Sequence, residues 1–211
     1  MFELLPMARR IVRYLPGIGQ TIGQAVVSAP AKIARRTIVV AMGLCLLASF
    51  SPAHAADLFG VRQDGHEIEA GDIPGWKIVY FGYTHCPDIC PTSLQSITQA
   101  LDALGPIGER ITPVFVTVDP ERDTPAVVAQ YISYFHPRMI GLSPRPDQLT
   151  ALAQAWHIKY TRVELKDGDY AVDHTASIFL TDPSGAIVGR YQHDLDGAAL
   201  ADRIRATMLA R

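Results

Sequence analysis

Lys77-Ile78-Val79-Tyr80-Phe81-Gly82-Tyr83 runs, after Thr84 and His85, into Cys86-Pro87-Asp88-Ile89-Cys90-Pro91. The first segment is β-branched and aromatic and reads as a central strand. Beyond the second, Leu94, Ile97, Leu101 and Leu104 recur at helical spacing. The two thiols therefore stand at a strand-to-helix junction, four residues apart. Pro91 is tolerated in a helix only within the first turn, which puts Cys90 at or just before the helix start and Cys86 on the loop that feeds it. Backbone N–H groups are unpaired there, and a thiol near a helix start is biased toward thiolate by the positive end of the dipole. Such a pair can close a disulfide or grip a soft metal ion.

The bland alternative is two buried cysteines acting as small apolar residues. The flanking prolines argue against it, and the spacing exceeds the common Cys-x-x-Cys dithiol by one residue. A disulfide across so short a loop would also stabilise the fold little. The pair makes chemical rather than mechanical sense.

Working outward, the 211 residues suffice for one ordinary domain and a tail, and 48% hydrophobic with 19% charged residues is a globular composition. Residues 1–55 carry six basic residues against Glu3 alone, so residues 56–211 hold the other 13 of 19 basic and 20 of 21 acidic residues, a net charge of −7. An acidic body argues against nucleic-acid binding. Arg35-Arg36, the apolar run from Thr37 to Phe50, and Ala53-His54-Ala55 follow the order of a secretory signal with its cleavage site. The expectation is an exported, periplasmic protein: residues 1–55 a basic leader with a signal, residues 56–211 the working domain. Retention of the apolar run as an inner-membrane anchor is the other reading. With Cys45 in the leader, Cys86 and Cys90 are the only thiols of the body.

Residues 57–76 read as a short hairpin turning at Asp64-Gly65. After strand 77–83 and helix 90–104, Ile111 to Val118 form a second strand, and Asp123 or Thr124 caps a helix to about Phe135 with Pro125 in its first turn. A short strand at Met139–Leu142 and a helix from about Asp147 to Trp156 come next. A hairpin around Lys166-Asp167-Gly168-Asp169, paired strands 177–181 and 186–191, and an amphipathic helix from Asp196 to about Leu209 complete the chain. This order predicts an α/β fold, a thioredoxin-like sandwich with an inserted hairpin. In that fold the loop facing the dithiol normally carries a cis-proline. Here it reads Val172-Asp173-His174-Thr175 and offers an imidazole instead.

A lone histidine is more often structural than a ligand. His66, His136, His157 and His193 lack any partner argument and read as structural. His85 adjoins Cys86, but its side chain is expected to point away, so it is not counted as a ligand. His174 is singled out by its place in the fold, with Asp173 as either an outer partner that orients the ring or a solvated carboxylate. Two thiolates and an imidazole suit Cu(I) and, with a further weak ligand, Cu(II); structural zinc would want a fourth protein ligand. Copper is the metal expected at Cys86, Cys90 and His174.

Phe81 to Thr92, Val118-Asp119-Pro120-Glu121-Arg122-Asp123-Thr124-Pro125 and Val172 to Thr175 together resemble the SCO/SenC family, over residues from about 57 to the C-terminus. The resemblance implies a thioredoxin-like fold and copper ligation by Cys86, Cys90 and His174. It also implies a role in assembling the copper A centre of cytochrome c oxidase. The implied partners are the apo-oxidase subunit, a copper donor and a thiol reductant, with an N-terminal membrane anchor in many members. The Asp119–Pro125 segment has no metal logic of its own and reads as a turn plus helix cap at the rim of the site. Two functions share these residues: a copper chaperone, and a thiol–disulfide oxidoreductase in which Cys86 and Cys90 form a redox-active disulfide to reduce the target's cysteines.

Overall fold

The computed structural model describes residues 56–69, 71–166 and 168–211. The basic leader, with its signal or anchor segment, lies outside them, as does Asp167 of the expected hairpin turn. Among the described residues no helix is long and apolar enough to cross a membrane.

The elements are β1 (Gly60–Arg62), β2 (Glu67–Ile68), β3 (Trp76–Gly82), α1 (Ile89–Leu104), a 3-10 turn (Gly105–Arg110) and β4 (Ile111–Thr117). There follow α2 (Pro125–Ile132), β5 (Ile140–Ser143), α3 (Pro146–Ala155), β6 (Tyr160–Glu164) and β7 (Tyr170–His174). β8 (Ile178–Thr181), β9 (Ile187–Tyr191) and α4 (Gly197–Leu209) close the chain. The caps behave as their chemistry requires. Thr124 accepts from the Val127 N–H to start α2, and Asp196 accepts from the Ala199 N–H to start α4. α2 stops at Ile132, short of Phe135, because the chain tightens there into successive turns.

Seven strands form one sheet in the order β2-β1-β5-β4-β3-β8-β9. β3, β4 and β5 run parallel, while β8 and β9 return antiparallel. The β3-α1-β4 unit with the β8-β9-α4 unit, in spatial order β4-β3-β8-β9, is the thioredoxin-like arrangement. All seven residues of β3 are buried, as expected of a central strand covered on both faces. Even Lys77 is buried, its Nζ donating to the Ile73 and Gly75 carbonyls at 3.1 Å each. α1 packs against α4, and the contact is so close that a Cβ on Gly197 would overlap the Gln99 side chain. Phe81, Trp156 and Phe179 meet edge to face, with centroids 5.4–6.1 Å apart. Burying each such ring contributes about 1.5–3 kcal/mol or more, so the floor beneath the C-terminal end of β3 is firm. The β6–β7 hairpin stands apart as its own two-stranded sheet, and β6 is exposed beyond Tyr160.

Candidate metal centre

β3 ends at Gly82, whose carbonyl still accepts from the Val118 N–H at 2.8 Å. The chain then turns, the Cys86 N–H donating to the Tyr83 carbonyl at 3.3 Å, and α1 begins at Ile89 after Asp88. Pro91 is the third helical residue, where a missing N–H costs nothing. Cys90 thus lies one residue inside the helix rather than before it. It is fully buried, whereas Cys86, on the preceding turn, is half-buried.

The third side chain arrives from far along the sequence. His174 is the last residue of β7, so the expected loop position is in fact a strand end, held by pairing with Tyr160 across the hairpin. Its Nε2 lies 3.5 Å from the Cys90 Sγ. The ligand atoms of Cys86, Cys90 and His174 all lie within 4.8 Å of one another. The other ring nitrogen, Nδ1, lies 3.2 Å from the Thr175 carbonyl, which accepts only from an N–H. That bond orients the ring so that Nε2 faces the sulfurs. Asp173 is exposed on the opposite face of the strand, opposite Thr161; a backbone carbonyl orients the ring, and Asp173 is the solvated residue. Tyr80 and Tyr83 pack edge-on against the imidazole, at 6.2 and 5.9 Å between centroids.

Electrostatics divides the two thiols. The hydrogen bond from Cys90 holds Cys86 far below the ordinary thiol value, at about 3, against the cost of burial and with help from His174 and the Asp88 and Cys90 N–H groups. The same bond, together with burial, pushes Cys90 up. The pair therefore shares one proton, with the negative charge on the more exposed sulfur. The ionisable thiol is the loop cysteine, not the one on the helix. Burial also raises the Tyr80 phenol, which keeps its proton and points it at the Cys90 Sγ from 3.8 Å.

Donors that share one ion at ~2.0–2.3 Å each are separated by roughly 3.5–4 Å, so the spacing of Cys90 and His174 suits joint ligation. Two soft sulfurs and one imidazole are a donor set for a soft ion.

The sequence profile of the SCO1/SenC family matches residues 50–209. The chain belongs to the SCO1/SenC family. Among curated relatives, a mitochondrial SCO1 homolog of Arabidopsis thaliana is 40% identical over 140 residues, covering 64% of this chain and 42% of that protein. The mitochondrial SCO2 homolog of Bos taurus is 38% identical over 138 residues, covering 64% of this chain and 52% of that protein. The chain thus spans about half the length of these relatives. The crystal structure of Arabidopsis thaliana ScoI with copper bound superposes with a TM-score of 0.69 at 34% identity, covering 74% of this chain and all of that one. Bradyrhizobium japonicum ScoI with copper bound gives 0.64 at 37% identity, covering 71% and 96%.

In this member of the family, residues outside the donor set build the site. Asp123 is fully buried. Its carboxyl accepts from the Thr84 N–H (2.9 Å), the Thr84 hydroxyl (2.6 Å) and the Thr117 hydroxyl (2.5 Å). It ties the loop two residues before Cys86 to the end of β4. In the sequence Asp123 competes with Thr124 as a helix cap; Thr124 takes the cap and Asp123 turns inward. Gly82 was legible only as a strand residue, yet a Cβ there would stand 2.9 Å from the Cys90 Sγ. His85 is half-exposed and bonds the Thr84 hydroxyl through Nδ1 at 3.1 Å, apart from the cluster. His66, His136, His157 and His193 do not join it either.

Proposed function

We propose that residues 56–211 form a copper-binding domain that takes one Cu(I) as cargo and delivers it to an apo subunit of cytochrome c oxidase carrying the copper A site. The observation that carries this reading is the convergence of Cys86, Cys90 and His174 within 4.8 Å. Thiolate ligands select Cu(I), and imidazole accommodates it. Membership of the SCO1/SenC family and the copper held by two relatives above 30% identity support the metal. Cys86 is the donor a recipient can approach, because it alone of the two sulfurs reaches solvent. In the same reading the leader exports the domain to the periplasm. Cleavage after Ala55 would free it there, and retention of the apolar run from Thr37 to Phe50 would tether it to the inner membrane. A copper donor and a thiol reductant complete the partner set, since a disulfide offers no thiolate.

The test is copper content. The reduced protein is expected to bind one copper and the disulfide form essentially none; equal content in both would overturn the reading.

A second reading draws on a specific feature: a half-exposed Cys86 backed by a buried Cys90 is the layout of an attacking and a resolving thiol. As an oxidoreductase, the Cys86 thiolate would attack a target disulfide to form a mixed disulfide and release one target thiol. Cys90 would then displace the second, leaving a Cys86–Cys90 disulfide and a fully reduced target. His174→Ala separates the two readings, because imidazole takes no part in sulfur–sulfur exchange. Loss of oxidase assembly in cells supports delivery, and normal assembly with copper binding gone promotes the reductase.

A further inference from the structure

The third donor sits on the element with the least backbone support. β6 and β7 pair only with each other, so no ladder to the seven-stranded sheet sets the distance between His174 and the thiols. Side chains of the turn between β4 and α2 meet the hairpin instead. Arg122 donates from Nε to Asp119 Oδ2 at 2.6 Å, and from Nη1 to Asp169 Oδ1 and the Tyr170 carbonyl at 2.9 Å each. Its guanidinium carbon lies 3.5 Å over the Tyr170 ring, and that of Arg162 lies 3.6 Å over the same ring. Two groups so close to one centroid must occupy opposite faces, so the ring is held between two cations. The Tyr170 hydroxyl closes the circuit by donating to Asp119 Oδ1 at 2.8 Å.

We propose that Arg122 is the positioning residue for His174. Side chains two apart on a strand share a face, so Tyr170, Val172 and His174 project together from β7. Clamping Tyr170 therefore fixes the face that aims the imidazole. A second path leads through Tyr83, whose ring lies 5.9 Å from the Arg122 guanidinium and meets the His174 ring edge-on. The same short turn holds the thiol loop through Asp123 and Thr84. Residues 119–123 thus grip the sulfur side with one end and the imidazole side with the other, and set the spacing between them.

The inference rests on His174 being a copper donor, and two readouts keep that reading separate from this one. In the metal-free, reduced full chain, Arg122→Met is expected to shift the imidazole nitrogen NMR signals of His174. In competition with a Cu(I) chelator it is expected to weaken copper binding by about 10–100-fold. Arg122→Lys should show the same loss, since an ammonium lacks the fork that spans Asp119, Asp169 and Tyr170. Combined with His174→Ala, Arg122→Met should have no further effect on affinity, whereas a merely structural role would add its loss to that of His174→Ala. Tyr170→Leu attacks the clasp from the hairpin side if Arg122→Met fails to fold. Unchanged His174 signals, or an equal loss in the His174→Ala background, would overturn the proposal. If the wild-type chain binds no copper, the proposed function fails, and the His174 signals alone then decide about the clasp.

Discussion

The two sides of the site are built to different standards. The sulfur side grows out of β3, buried along its whole length between β4 and β8, and Cys90 sits with no exposed surface against Tyr80 and Gly82. The imidazole side hangs on a two-stranded hairpin, exposed along β6, that reaches the body through side chains. Burial and ladder hydrogen bonds make the first side part of the global fold. The second is held by the buried Val172, by Tyr160 and Tyr170 packed at the core's edge, and by polar and cation–π contacts each worth about 0.5–2 kcal/mol at most. The contrast teaches that the two sulfurs are fixed and the imidazole is carried. A hairpin attached in this way can move without unfolding the sheet.

Hydrogen exchange would test this contrast most severely. Amides of Ile78 to Phe81 should exchange only through global unfolding, while those of the β6–β7 hairpin should exchange through local opening, about a thousandfold faster or more. Equal protection in the two elements would break the distinction. Next in size, Gly82→Ala places a methyl 2.9 Å from the Cys90 Sγ, 3.0 Å from a Tyr80 ring carbon and 3.1 Å from a Phe115 ring carbon. Overpacking of this kind should cost roughly 1–3 kcal/mol in urea unfolding. His174→Ala, by contrast, should change stability by about 1 kcal/mol or less. A reversal of that order would mean the hairpin, not β3, anchors the site.

The smallest expected change is in reactivity with pH. Cys86 is held at about 3, so its thiolate fraction is already saturated at pH 5. Alkylation by iodoacetamide should stay nearly flat from pH 5 to 8, where an ordinary thiol would gain about tenfold per pH unit. Cys90, pushed up and buried, should stay unmodified. Because the Cys90 bond is the largest cause and His174 a lesser one, His174→Ala should leave the profile close to flat. A steep profile in that variant would show that the carried side, and not the fixed one, governs the thiolate.

Much of this was legible in the chain. Runs of β-branched and aromatic residues marked β3 and β4, Pro91 and Pro125 marked first turns, and Thr124 and Asp196 marked caps, because residue composition and backbone restriction act between neighbours. The thiol pair declared itself by its own spacing, and His174 by its expected place opposite. Other features had no local signature. Asp123 reaches Thr84 across 39 positions, Arg122 reaches the Tyr170 carbonyl across 48, and Cys90 meets His174 across 84. Read locally, Asp123 is one of two candidate helix caps, Arg122 a member of the turn before it, and Asp173 either an outer partner of the neighbouring imidazole or a solvated carboxylate. Only the folded chain shows that Asp123 turns inward, that Arg122 lies across Tyr170, and that the Thr175 carbonyl holds His174. By itself the sequence determined the elements, their order and the donor types, since these depend on contacts within a few residues. The tertiary structure alone decided which sulfur bears the charge, which nitrogen faces it and what holds the hairpin, since these depend on distances between segments that meet only when the sheet is complete.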